Sequence, residues 1–297
     1  MSIRTIVAAL ALETDDDPVA ARALQLARQH GAKLVFIHVI ENGFGQAESL
    51  PAPADAATLQ AAVEQAAGAR IRAMIGEARP QEAVIILEAG KPYEVIDHLA
   101  RREQADLLLI GPGKARNVRE RVFGSTADRL VRIADRPVLV VRAGGAASYA
   151  HISVAMDFSA SSRAAFEVAA GLAGDAAMEL VHMVEIPLTF EQAMLKAGTP
   201  QLEIRRYRRD KANAVRQKLA DFVAESRDFS VEPGLRVVQG EASAALVRLS
   251  RSGRTDLLAL GLHSRTMMAR ALLGSVARHV LQGAACDVLV VGARAGA

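Results

Sequence analysis

The chain has one cysteine, no tryptophan and 4% aromatic residues in 297. A lone thiol, Cys286, excludes an intramolecular disulfide framework and suits a reducing compartment. It precedes the apolar run Val288–Val291 and reads as a core thiol. With so few aromatics, no stacking platform interleaves with basic residues, so a nucleic-acid partner is not expected despite a pI near 9.2. Apolar runs are no longer than a strand, which excludes a bilayer span. The opening MSIRTIVAALALETDDD leads from a short apolar run into acids, a poor secretory signal, and a cytoplasmic location is expected. There is no Gly-x-Ser-x-Gly motif and no ordered Cys/His pair, so no catalytic residue is expected and the chain does not read as an enzyme. His38-x-x-Glu41 and His182-x-x-Glu185 repeat, but residues three apart on a strand face opposite ways. They read as strand-end histidines, and no metal site is expected.

What the chain has in quantity is apolar and small residues, with 51% hydrophobic against 23% charged. Its net charge of +3 is uneven: residues 1–146 hold 18 basic and 18 acidic residues, leaving 18 and 15 for the rest. The excess shows in EIRRYRRDKANAVRQK, Glu203 to Lys218, which reads as the solvated face of a helix. It also has an internal repeat. ADLLLIG at 105–111 matches TDLLALG at 255–261, VFGST at 122–126 matches LLGSV at 272–276, and RPVLVVRAG at 136–144 matches CDVLVVGAR at 286–294. FIHVIE at 36–41 matches LVHMVE at 180–185. A repeat this long signals duplicated domains rather than a solenoid. Domains over 1–145 and 149–297 are expected, joined by the small residues of AGGAASYA (143–150).

Each copy alternates strand and helix. In the first, TIVAALAL, KLVFIHVI, AVIILEAG, DLLLIG and PVLVV are strand candidates. Between them lie helical stretches, the first opened by Asp17-Pro18 and closed by Gly31. The strands lack period-two alternation, as expected when helices cover both faces of a parallel sheet. In such sheets ligands sit beyond the carboxyl ends of the strands, where the glycine-containing loops fall.

Gly111 and Gly261 each end an apolar strand, and Gly124-Ser125 and Gly274-Ser275 each open a helix. A glycine there lets the backbone approach a ligand, and the amides of a helix start favour an anion. Ser125 and Ser275 suit a phosphate, and equally a cap for their own helices. GPGK at 111–114 lacks the P-loop spacing.

The strand–Gly loop, the Gly-Ser/Thr helix start, the closing RPVLVV strand and VAMDFSASSRAAF (154–166) together resemble the universal stress proteins, in two tandem copies. The resemblance implies an α/β chain of two Rossmann-like (adenine nucleotide alpha hydrolase-like) domains, each a five-stranded parallel sheet with helices on both faces. It implies that the two domains form an intramolecular pseudo-dimer, with a homodimer of the whole chain as a further arrangement. It also implies ATP or AMP at the glycine loop, with magnesium if ATP. On that pattern Asp157 faces adenine and ribose, Met183 touches adenine, and Gly261, His263, Ser264, Arg265, Gly274, Ser275 and Val276 form the phosphate side. The inner glycine of the family's loop is replaced by Lys114 in the first copy and Ser264 in the second. Gly111, Lys114, Gly124 and Ser125 make the corresponding set in the first copy. Ala11 stands there where Asp157 stands in the second, and Glu13, Asp15, Asp16 and Asp17 lie close by. The second copy is therefore the expected binder of nucleotide or small anion. The alternative is a non-nucleotide regulatory module that recruits a protein partner; no membrane partner is expected.

Overall fold

The computed structural model describes residues 2–14, 17–41, 56–76, 83–113, 123–142, 147–226, 232–262 and 273–292. It contains two compact units that part between Ser148 and Tyr149. Among the described residues no helix is long and apolar enough to cross a membrane.

The first unit runs β1 (Thr5–Ala9), α1 (Pro18–His30), β2 (Lys33–Ile40), α2 (Ala56–Ile75), β3 (Ala83–Ala89), α3 (Pro92–Arg102), β4 (Leu107–Ile110), α4 (Ser125–Ile133) and β5 (Val138–Val140). Its strands lie in the order β3-β2-β1-β4-β5, every pair parallel. The second unit runs β6 (His151–Ala155), α5 (Ala160–Ala173), β7 (Ala177–Val184), α6 (Leu188–Lys196), α7 (Gln201–Glu225), β8 (Gly234–Gln239), α8 (Ala242–Ser250), β9 (Leu257–Gly261), α9 (Ser275–Gly283) and β10 (Asp287–Val291). Its order is β8-β7-β6-β9-β10, again all parallel. Central strands such as Leu107–Ile110 and Asp287–Val291 are buried throughout, as helices on both faces require.

Local chemistry explains several boundaries. Asp17 caps α1 by accepting from the Val19 amide at 2.9 Å, Pro18 supplies the preset first turn, and Gly31 ends the helix at φ 61°. TIVAALAL is extended only to Ala9, because Leu12 turns to φ 55° and breaks the strand conformation. Phe158 does the same in the second unit at φ 65°. Each turn is held by a histidine from the neighbouring strand. Nδ1 of His38 is 2.8 Å from the Leu10 carbonyl, and Nδ1 of His182 is 2.7 Å from that of Met156. That repeated bond is the role of the two His-x-x-Glu histidines, and among the described residues no cluster is suited to a metal. A second repeated device is the Asp of the DLLLIG and DLLALG strands. Asp106 accepts from the Arg4 and Thr5 amides at 2.8 and 2.9 Å; Asp256 accepts from Ala150 and His151 at 2.9 and 2.8 Å. Each carboxylate pins the start of one central strand to the next.

The stretch around residue 150, expected to be flexible, is anchored where it is described. Within the first unit, buried Arg22 donates to the Ala147 carbonyl at 2.7 Å. Within the second, the buried Tyr149 hydroxyl donates to the fully buried Asp287 carboxylate at 2.8 Å.

Candidate functional site

In the second unit the strand order reverses between β6 and β9, and the carboxyl ends of these two strands diverge into a crevice. The segment after β6 is shaped by its serines. Ser159 is the N-cap of α5, its Oγ accepting from the Ser162 amide at 3.1 Å. Asp157 Oδ1 accepts from the Ser159 amide at 3.0 Å and from its hydroxyl at 2.5 Å, so the carboxylate helps to build the turn. Asp157 is exposed at the same time, facing the crevice rather than the core. Ser162, nearly inaccessible, donates to the Ser159 carbonyl at 3.1 Å and ties the turn down from below.

Gly261 closes β9 against that turn. A Cβ at this position would collide with the backbone carbon of Ser161 and the amide nitrogen of Ser162, and would lie 2.7 Å from the Ser161 carbonyl oxygen. Only glycine allows the strand end and the start of α5 to approach this closely. Across the crevice α9 begins at Gly274, which has φ −57° and makes no side-chain cap bond. The Ser275 hydroxyl was a candidate cap and does not serve as one: serine occupies the first helical position and glycine the cap. Ser125 stands in the same relation to Gly124 at α4. A side chain is needed at the cap to reach the first-turn amides, and glycine has none. Both first turns therefore present amides and the positive end of the helix dipole without a carboxylate or hydroxyl cap.

These elements enclose a cavity of about 310 Å³. Of the residues expected from sequence, the structure brings Asp157, Met183, Gly261, Gly274, Ser275 and Val276 to it. Its apolar wall comes from Val181, Leu260 and, on α8, Ala242 and Leu246. His182 lines it too, with its ring 5.3 Å from that of Phe158. Ser162, His182, Ala242 and Leu246 were not among the expected site residues. The serine-rich turn signalled Ser162, but nothing in the α8 segment signalled that its first turns line the cavity. The arrangement has a carboxylate at one end, an apolar middle and a helix N-terminus at the other. That fits a ligand with hydroxyl or amine donors, a flat apolar body and an anionic tail.

Gly111, Gly124 and Ser125 hold the matching places in the first unit, where the described residues around them pack differently. Gly113 adopts φ 85° and packs on Gly124: a Cβ on Gly113 would lie 2.7 Å from the Gly124 Cα. The Gly124 amide donates to the Pro112 carbonyl at 2.8 Å. The loop thus folds onto the helix start and uses a donor an anion would need. Gly111 itself has room, with Val19 Cγ2 3.7 Å from a hypothetical Cβ. Gly274, unlike Gly124, has no atom of the described residues within 4 Å of its Cβ position. Lys114, His263, Ser264 and Arg265 lie outside the described residues.

Two parallel α/β sheets, each with a glycine-ended strand facing an uncapped helix start, define a duplicated protein of the doubly wound class. The sequence pattern of the universal stress protein family matches residues 2–142 and 148–292. The chain belongs to that family, as a tandem member. A universal stress protein encoded in the QAH/OAS sulfhydrylase 3' region of Thermus aquaticus is 33% identical over 123 residues, 41% of this chain and 87% of that protein. Among solved structures, a universal stress protein from Archaeoglobus fulgidus aligns over 99% of this chain and 100% of its own, with TM-score 0.65 and 15% identity. A Pseudomonas aeruginosa protein described as functionally unknown aligns over 98% and 93%, with TM-score 0.63 and 16% identity. At these identities the two structures support the fold. Family membership supports a role in the stress response.

Proposed function

We propose that the protein acts in the stress response as a nucleotide-responsive binder rather than a catalyst. The second unit takes ATP or AMP, with magnesium if ATP, or another small anionic ligand. The observation that carries this reading is the cavity between β6 and β9, where Asp157, Gly261 and the uncapped start of α9 meet. Asp157 would accept from ribose hydroxyls, Val181, Met183 and Leu246 would flank the base, and the amides of Ser275 and Val276 would face phosphate. The first unit serves as a scaffold in this reading, since the Gly113–Gly124 contact occupies the approach to its helix start. Titration calorimetry with Mg-ATP and with AMP tests it. A micromolar site, about −8 kcal/mol, is expected in the wild type. It should be lost in Gly274→Val, which puts a branched side chain at the helix start that lines the cavity and whose Cβ meets no atom of the described residues within 4 Å. Asp157→Ala should weaken it by roughly tenfold or more, the value of a lost charged hydrogen bond. Absence of heat at millimolar nucleotide, or binding that survives both changes, would refute the assignment.

A further inference from the structure

The second unit carries a helical hairpin that takes no part in the cavity. In α6 no residue is buried. It is held to α7 by two contacts: Arg208 donates to both carboxylate oxygens of Glu191, at 2.7 and 2.5 Å, and Phe190 meets Tyr207 with ring centroids 5.8 Å apart. Leu188 and Leu195, 74% and 51% exposed, flank Glu191 at helical spacings of three and four and stay uncovered beside that contact. They are seven residues apart, two turns on the same face. Leu202, 70% exposed, lies beyond the turn at 197–200 and opens a separate stripe on α7. Arg205, Arg209 and Arg216 continue that stripe at helical spacings of three, seven and fourteen from Leu202, and all are exposed.

Among the described residues none of these three arginines has an ion-pair partner. Two of the four acids of α7 are engaged elsewhere: Asp210 lies 3.9 Å from Arg206, and Asp221 accepts from Gln217 at 2.9 Å. The apolar face of α7, with Ile204, Leu219 and Phe222, is buried in its own unit. What remains outside is an uncompensated run of guanidinium groups headed by three exposed leucines.

We infer that the α6–α7 hairpin is a docking surface for an acidic, amphipathic segment of another protein. Its carboxylates would pair with Arg205, Arg209 and Arg216, and its apolar side chains would cover Leu188, Leu195 and Leu202. Arginine suits this role because its planar fork meets carboxylates bidentately. The stripe from Arg205 to Arg216 spans about 16 Å at the helical rise, three turns of a facing helix. A lipid surface fits less well, because an interfacial helix needs a continuous apolar face and α7 has turned its own inward. A nucleic acid would leave the leucines without purpose and finds no aromatic to stack on along the stripe.

The test uses the full-length protein and a fluorescent acidic peptide of helical propensity, with glutamates at intervals of four and seven and leucines on the adjoining face. A scrambled peptide of the same composition, phosphatidylglycerol vesicles and a short DNA duplex are the competing probes. The register-matched peptide should bind best. Arg205→Glu/Arg209→Glu/Arg216→Glu should weaken it by roughly tenfold or more, as charge reversal across an interface does. Leu188→Ser/Leu195→Ser should weaken it without changing its salt dependence, and Asn213→Glu, a smaller change on the same stripe, should act in the same direction as the arginine triple. Circular dichroism should remain unchanged in each. The inference is overturned if no probe binds, if the scrambled peptide binds equally well, if charge reversal leaves binding intact, or if vesicles or duplex are the ligands whose binding depends on these arginines.

Discussion

Adding one methyl group to Gly261 tests the site's architecture more sharply than removing any side chain. In Gly261→Ala the new Cβ would overlap the Ser161–Ser162 peptide, with the Ser161 oxygen at 2.7 Å. These atoms are backbone, so no rotamer change can relieve the clash. Either the end of β9 or the start of α5 must move by several tenths of an ångström. Overpacking of this kind costs about 1–3 kcal/mol, and a rigid neighbour places the cost near 3. For a domain of about 150 residues that lowers the melting temperature by about 6–12 °C. The control is Gly111→Ala at the repeat-equivalent position, where the nearest atom is a flexible Val19 methyl at 3.7 Å. That change should stay within about 1 kcal/mol of wild type, and reduced freedom of the unfolded chain can make it stabilising. Urea unfolding of the two full-length variants, followed by circular dichroism and by intrinsic tyrosine fluorescence, measures both. A neutral Gly261→Ala, or two variants equally damaged, would refute the claim that backbone crowding dictates glycine at this strand end in the second unit and not at Gly111 in the first.

Two further perturbations test the frame around the site. Glu241 caps α8, next to the cavity-lining Ala242, and its carboxyl is held down to about 2, first by the Ser243 hydroxyl and then by the Ala244 and Ser243 amides. A depressed carboxyl stabilises the fold above its ordinary range and loses that contribution as pH falls towards 2. The stability gap between wild type and Glu241→Gln in urea titrations should therefore be full near neutrality and close on acidification from about 4.5; a pH-independent gap would count against the cap. Tyr149→Phe removes a buried donor from Asp287, which is inaccessible, and should cost about 1–3 kcal/mol. Urea unfolding combined with Asp287→Ala in a double-mutant cycle measures it, and zero coupling would refute the assigned contact.

Much of the architecture is legible in local chemistry. Asp17-Pro18 and Gly31 bracket α1 because a carboxylate at the cap, a preset φ and a left-handed glycine act within a few residues of themselves. Continuous runs such as Leu107–Ile110 signal strands covered on both faces, and the repeat reports duplication before any fold is known. Asp157, Gly261 and Gly274 were legible for the same reason: each follows a strand or opens a helix, and their types suit close backbone approach. Less legible was the division of labour within one residue type. The repeated Asp of ADLLLIG and TDLLALG is only part of a matching repeat in sequence, yet it ties two strands together across about a hundred residues. The histidines of His-x-x-Glu read as strand-end residues, but the turn that each secures was not legible.

By itself the sequence determined the class of fold, the tandem repeat and the set of glycines able to bring backbone to a ligand, because periodicity, capping and φ preference are properties of short segments. Tertiary structure alone decided how the described residues pack around each helix start. Gly113 and Gly124 share their residue type with Gly261 and Gly274. The first pair packs together and uses the Gly124 amide, whereas Gly261 is pressed against α5 and Gly274 meets no atom of the described residues within 4 Å of its Cβ position. Whether a helix start can receive an anion depends on what already lies within 3 Å of it, and that is set by residues distant in the chain.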